Sequence, residues 1–478
     1  MRRSAMNYRI RSRLLSVLVA SVTVGAAVGP AAAAPPPPVD PGQLPAAAPA
    51  APTQPTEQKN QCFATRPVPA GPQEPPAQRA LGFRAAWPLT RGAGQTIAVI
   101  DTGVARHPRL SGLIPAGDYV GTGDGTDDCD VHGTVVAGLI AAAGVPGQGF
   151  AGVAPDARIM TIRQSSNLWQ VAGRAQQQRP EDNADGYGDV ATMAAAVRLA
   201  ADRGATVINI SEVACSTATI DDRALGAAVQ YAMVERDAVV VAAAGNKDGR
   251  CGSGNPDSDP RRPTADPWQR VDTIVTPAWY DDYVLTVGSV DANGAPSRFT
   301  VPGPWVDVAA PGEGIVSLDP RSSGLTDAKL DDKGTSATFQ GTSFAAPYVA
   351  GTVALVRARF PELRARQVMA RIEATAHTPP EGINPYVGHG SIDPYAAVTV
   401  QPPDVSPAAQ PNAPASTTLA TPTAPASPDR HGATVALIGT AVLGVGLVLG
   451  FLAWFPLRRR ARAAAARGEP DEPAAPTE

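Results

Sequence analysis

Lysine and cysteine are scarce in this 478-residue sequence. Four Lys stand against 36 Arg, a bias that points to GC-rich coding and not to chemistry. Cys62, Cys129, Cys215 and Cys251 form no C-x-x-C pair, which argues against a zinc site. Glycine does not recur every third residue and no internal repeat is found, which excludes a collagen-like chain; a coiled coil is excluded as well. Cationic excess is also missing. Between residues 35 and 457 there are 30 Lys and Arg against 40 Asp and Glu, a net charge of −10. A surface of that sign excludes nucleic acid as an expected partner, because phosphate binding needs a basic face.

Proline is abundant instead, 49 residues, or about twice average usage. Spread evenly, it would remove backbone donors throughout. It is segregated: 14 of the 42 residues in 35–76 and 8 of the 30 in 401–430 are Pro, but only 22 of the 324 in 77–400. The chain therefore divides into one ordered domain between two Pro-rich arms.

The ends carry targeting signals. Residues 1–34 have Arg2, Arg3, Arg9, Arg11 and Arg13, then an apolar stretch (14–28) and small residues at 31–34, the pattern of a secretory signal peptide. Residues 433–457 are 25 residues without charge, long enough to span a bilayer. Arg458, Arg459, Arg460, Arg462 and Arg467 follow, so the positive-inside rule puts the tail (458–478) in the cytoplasm and everything before residue 433 outside the cell membrane. The expected divisions are 1–34 signal, 35–79 Pro-rich extension, 80–400 ordered domain, 401–430 linker, 433–457 single-pass transmembrane helix and 458–478 tail. All four cysteines then lie in an oxidising compartment, which favours two disulfides. Three pairings are open.

Within the domain, apolar runs at 96–100, 157–162, 205–210, 238–243, 284–290 and 305–309 predict strands. Helical patterns at 133–143, 189–203, 222–236 and 343–359 alternate with them. Near-continuous apolar strands between helices imply an α/β fold, a parallel sheet with helices on both faces and its site beyond the C-terminal strand ends. The polar stretch 164–188 is long for a connection and is predicted to be either a functional surface loop or disordered.

Three segments carry chemistry. Asp101-Thr102-Gly103 puts an acid just past a buried strand, His132-Gly133-Thr134 a histidine at the mouth of a helix, and Gly341-Thr342-Ser343 a serine at the start of the last long helix. A serine hydroxyl is a poor nucleophile until a histidine takes its proton, and the histidine needs a carboxylate to fix its tautomer. The chain order Asp, His, Ser is that of subtilisin and differs from chymotrypsin-like and α/β-hydrolase orders. A single D-T-G excludes an aspartic protease. Ala345 breaks the G-x-S-x-G elbow that would let Ser343 pair with His389.

On these motifs the sequence resembles the subtilase family of serine proteases over roughly residues 80–400. The resemblance implies a subtilisin-like fold, serine endopeptidase activity, and Asp101, His132 and Ser343 as the catalytic residues. Val239 to Asn246 resembles the strand that delivers the family's oxyanion-hole amide, here Asn246. Ser211 and Glu212 occupy the substrate-binding edge, where Val213 replaces the usual Gly, which implies a narrowed and selective cleft. No cofactor or metal is implied. Within subtilases the layout is most similar to the mycosins, membrane-anchored proteases of type VII secretion systems. That likeness implies secreted protein substrates, partners in the secretion membrane complex, and an extension that wraps the domain while leaving the cleft open. A structural role with dispensable proteolysis is the alternative. With this layout Cys215 and Cys251 follow neighbouring strands and are expected to pair, leaving Cys62 to pin the extension to Cys129.

Other signals are discounted. The Gly-rich stretch 144–152 follows a helix and is expected to be a turn. Asp124, Asp127, Asp128 and Asp130 lack an EF-hand's closing Glu and are expected to form a solvated acidic turn. His377, His389 and His431 have no motif around them. Gly138 is expected to let the histidine helix pack closely on the sheet, and Pro347 to fall where a missing N–H costs least.

Overall fold

The structure, a computed structural model, describes residues 35–173, 186–252, 254–257, 266–331, 333–401 and 431–465. The signal segment, most of the linker, the end of the tail and the middle of the polar loop (174–185) lie outside the described residues.

In chain order the elements are β1 (Thr56–Gln58), β2 (Ala64–Val68), α1 (Pro76–Leu81), β3 (Thr96–Asp101), β4 (Ile114–Asp118), α2 (His132–Ala141), β5 (Arg158–Arg163), β6 (Trp169–Val171), α3 (Val190–Asp202), β7 (Val207–Ile210), β8 (Ala214–Ser216), α4 (Arg223–Gln230) and β9 (Val239–Ala243). There follow β10 (Ile274–Thr276), β11 (Val284–Val290), β12 (Val308–Pro311), β13 (Ser317–Leu318), β14 (Leu325–Leu330), β15 (Ser336–Thr338), α5 (Thr342–Arg359), α6 (Ala365–Ala374), α7 (Pro394–Thr399) and α8 (His431–Ala465).

Seven strands form a parallel sheet in the order β12-β11-β9-β7-β3-β5-β4. Alternate side chains of each strand go to opposite faces. Ile97, Val99, Val207, Val239 and Val241 pack with α2 and α5. Ala98, Ile100, Ile208, Ile210, Val240 and Ala242 pack with α3 and α4. Both faces are covered, so the strands are apolar throughout, and the fold is the α/β arrangement the sequence implies.

Four local readings are corrected. The strand expected at 305–309 is β12, a few residues later; Trp305 is instead a fully buried side chain whose ring lies 5.7 Å from that of Trp268. The sheet also gains an edge strand, β4, which carries Pro115 and a register irregularity before Gly117, features tolerated at edges. Gly138 does not serve the main sheet. A Cβ there would lie 2.3 Å from Ser317 Oγ and 2.8 Å from Leu318 Cγ, so its bareness admits β13. Pro347 is the sixth residue of α5, past the first turn, and leaves the Ser343 carbonyl without its i+4 donor.

The extension is stitched to the domain. β1 pairs antiparallel with β6, and β2 with β14, itself part of a small sheet with β13 and β15. Val39, Leu44 and Ala50 pack on the α3–α4 side, and Arg198 Nη1 donates to the Pro45 carbonyl at 2.8 Å. A disulfide joins Cys62 to Cys129. A second joins Cys215 on β8 to Cys251 beyond β9; β7 and β9 are neighbours in the sheet, and β8 is further braced by pairing with β10.

Helix α8 belongs to a separate unit. Its segment Ala436–Trp454 has a mean hydropathy of 2.3 and is long and apolar enough to cross a membrane.

Candidate functional site

Asp101 ends β3 at the C-terminal edge of the sheet and is wholly buried. Its Oδ1 accepts from the Thr102 backbone N–H and from His132 Nδ1, each at 2.7 Å. A carboxylate can only accept, so Nδ1 carries the proton and Nε2 faces the cleft as the available base.

His132 is the first residue of α2, and its position is over-determined. Val131 before it takes a left-handed backbone, φ 72°, a strained choice for a β-branched residue. Asp128 accepts from the Thr134 N–H at 2.8 Å and from the Thr102 hydroxyl at 2.9 Å. That hydroxyl in turn accepts from the Gly133 N–H at 3.1 Å. Asp128 and Thr102 together satisfy free donors of the helix start. A Cβ on Gly133 would fall 2.0 Å from the Gly103 carbonyl oxygen, so only glycine lets α2 begin this close to β3.

The acidic turn is therefore not solvated as expected. Asp128 and Asp130 are buried, the second accepting from Ser166 Oγ and the Asn167 N–H. Burial pushes Asp128 up to about 6 against the opposing hydrogen bonds from Thr134 and Thr102. Asp127 and Asp124 pair with Arg163 and Arg106.

Ser343 sits in the first turn of α5, where the helix N-terminus favours developing negative charge. Asn246 follows β9 and Gly245. Its Oδ1 accepts from the Thr342 N–H at 3.0 Å and the Thr342 hydroxyl at 3.2 Å. Both contacts leave Nδ2 as a donor toward Ser343. Gly341 lies between them with φ 150°: a Cβ there would stand 3.1 Å from Asn246 Nδ2 and 3.1 Å from Ser343 Oγ.

His132, Ser343, Asn246, Ser211, Glu212 and Val213 all line one cleft of about 490 Å3. Among its described lining residues none comes from the extension. His132 and Ser343 share the cleft with no hydrogen bond between them among the described residues; the Phe344 ring lies 5.0 Å from the imidazole. Ser211 Oγ accepts from Asn209 Nδ2 at 2.9 Å. Glu212 Oε2 accepts from Ser165 Oγ at 2.7 Å.

Charge is concentrated here. Burial alone lowers the His132 pKa, but the Asp101 carboxylate outweighs it and, with Glu212, pushes it up to about 9. Glu212 is itself pushed up to about 7, first by burial and then by Asp101. One donor atom each of Asp101, His132 and Glu212 lies within 4.8 Å of the others. The Asp101–His132 hydrogen bond engages Nδ1 and Oδ1 of this trio.

His377 and His389 do not line the cleft. His377 Nε2 is 3.3 Å from Asp393 Oδ2 and His389 Nδ1 is 3.1 Å from the Asp307 carbonyl. The side chain of His431 lies outside the described residues. Sequence reasoning missed Thr102, Asp128, Ser165 and Thr342, which hold the site from behind. Thr102 and Thr342 sit inside the D-T-G and G-T-S motifs, a signal available in the sequence; Asp128 and Ser165 carry none.

A buried acid on a central strand, a histidine opening one helix and a serine opening another define a subtilisin-like serine endopeptidase. Residues 92–390 match the subtilase family, and the chain belongs to it. It is 48% identical to Mycosin-4 of Mycobacterium tuberculosis over 445 residues, 91% of this chain and 94% of that protein. It is 42% identical to Mycosin-1 of the same organism over 454 residues, 94% of this chain and 99% of that protein. Among solved structures it is similar to the MycP3 protease from the type VII (ESX-3) secretion system, with TM-score 0.72 and 45% identity over 77% of this chain and 100% of that one. It is likewise similar to a chain of the intact ESX-5 inner membrane complex, with TM-score 0.72 and 41% identity over 88% and 100%.

Proposed function

We propose that this chain is a membrane-anchored, extracytoplasmic serine endopeptidase that processes secreted proteins within a type VII secretion complex. Ser343 Oγ attacks the scissile carbonyl carbon while His132 Nε2 takes its proton. Asp101 holds the imidazole and balances the imidazolium. The oxyanion receives hydrogen bonds from Asn246 Nδ2 and the Ser343 backbone N–H. His132 returns the proton to the leaving amine, and water then repeats the sequence on the acyl-enzyme. The substrate main chain runs along Ser211 and Glu212.

The meeting of His132, Ser343 and Asn246 in one cleft, with buried Asp101 2.7 Å behind His132, carries this reading. The similarity to mycosins along nearly the whole chain supports the secretion context. Five Arg in 458–467, against Arg430 just before residues 433–457, support a single span with the C-terminus in the cytoplasm.

A second role, as a structural part of the secretion complex, is favoured by the likeness to a chain of the ESX-5 inner membrane complex. Ser343→Ala separates the two. N-terminal peptide mapping of the secreted proteins should show uncleaved substrates in the variant, with secretion retained if the structural role is independent. Identical N-termini in both strains would contradict the processing role, and lost secretion from a stably made variant would contradict a separable structural one.

A further inference from the structure

Glu212 occupies an unusual position. Serine catalysis by this arrangement needs one carboxylate behind the histidine, and Asp101 supplies it. Glu212 brings a second carboxyl into the same group of atoms, within 4.8 Å of both partners. It does not point there loosely: Ser165, itself buried at the end of β5, donates to its Oε2 at 2.7 Å. Asp101 Oδ1 is doubly engaged, whereas Asp101 Oδ2 is buried with no hydrogen-bond partner among the described residues. An orphaned carboxylate oxygen beside a second carboxyl is a setting in which one proton is favourably kept between the two acids.

We propose that Glu212 is a positioning residue of the hydrolytic site, whose carboxyl, held by Ser165 beside the Asp101–His132 pair, sets the pH range in which His132 acts as a base. This rests on the assignment of His132 as general base above. With Glu212 protonated, His132 faces one negative partner and Nε2 is free to accept the serine proton. With Glu212 ionised, the imidazole lies between two carboxylates, its cation is stabilised, and the base is withdrawn. The charged groups facing this cluster are Asp101 at the end of β3, His132 on α2, Asp130 in the turn before α2 and Lys329 on β14. Asp130 favours the protonated form of Glu212, and Lys329 opposes the histidine cation. Burial and the Asp101 charge push Glu212 up to about 7, so both of its states are populated near neutral pH.

The test uses the full chain in detergent and the second-order rate of labelling by a fluorophosphonate across pH 5–10, which requires no identified substrate. Glu212→Gln keeps an oxygen to accept from Ser165 and removes the charge. The acid limb of the labelling profile should move down by about 1–3 pH units, the size of shift a charge at this range produces. Labelling near neutral pH should rise about tenfold for each unit of that shift. Ser165→Ala removes the hydrogen bond that favours ionised Glu212, and should move the limb the same way by a smaller amount. A limb unmoved in both variants, or moved up in either folded one, overturns the proposal. If Glu212→Gln does not fold, Ser165→Ala alone decides. Should Ser343→Ala still be labelled at the same rate, the triad assignment itself has failed, a result distinct from an unmoved limb in correctly labelled variants.

Discussion

Asn246 shows how much of the site is fixed by single atoms. Its Oδ1 is doubly held by Thr342, so the amide cannot flip without losing two hydrogen bonds. Preorganised donors of this kind stabilise developing charge without reorganisation at the moment of reaction. Asn246→Ala should lower kcat on a peptide substrate by about 10²–10³-fold, the range found when subtilisin loses its corresponding amide, with KM little changed. A loss below about fivefold in a folded variant would remove Asn246 from this role. At this scale the sequence was legible where chemistry and motif coincide: the residue types at 101, 132 and 343 are what nucleophilic catalysis requires. It was not legible for Asp128. Four nearby acids look like a solvated turn, and only the three-dimensional meeting of that turn with the first turn of α2 makes Asp128 a helix cap. The same holds for Glu212, whose inward aim depends on a hydroxyl 47 positions away.

Elements were legible in proportion to their burial. β3, β7 and β9 are covered on both faces, so their apolar runs are continuous and their limits fall within two residues of expectation. β4 escapes notice because Pro115 and Gly117 interrupt its pattern, as an edge permits. β2, Ala64 to Val68, is a strand only because β14, more than 250 positions later, offers it an edge. Pairing of that kind has no local signature. The extension is held by β1, β2 and the Cys62–Cys129 bond, which closes a 67-residue separation. The double variant Cys62→Ser, Cys129→Ser should lose about 2–4 kcal/mol of stability. Thermal unfolding should register this as a Tm lowered by several degrees, with fluorophosphonate labelling at low temperature within about twofold of wild type, because no extension residue is among the described residues lining the cleft. An unchanged Tm would show that the strand pairings alone secure the extension.

Over the whole molecule, the proline distribution is a map of two unlike arms. The first, despite 14 Pro in residues 35–76, is paired, packed and disulfide-linked to the domain. Most of its prolines fall outside the short strands or at the start of α1, where a missing donor is harmless; Pro67 alone of them lies within β2, opposite Thr326. The second leads toward α8, whose apolar length fits a bilayer. The segment 35–457 is acidic, with 30 Lys and Arg against 40 Asp and Glu, and five Arg follow the apolar stretch within 458–467. The central claim is that the cleft hydrolyses peptides through Ser343, activated by His132 and Asp101. It is tested most directly by treating the full chain with a fluorophosphonate and locating the adduct by peptide mass spectrometry. A single phosphonylated residue, Ser343, is expected, with labelling abolished in Ser343→Ala and reduced at least a hundredfold in His132→Ala. An adduct at another residue, or undiminished labelling of the Ser343→Ala chain, would contradict it.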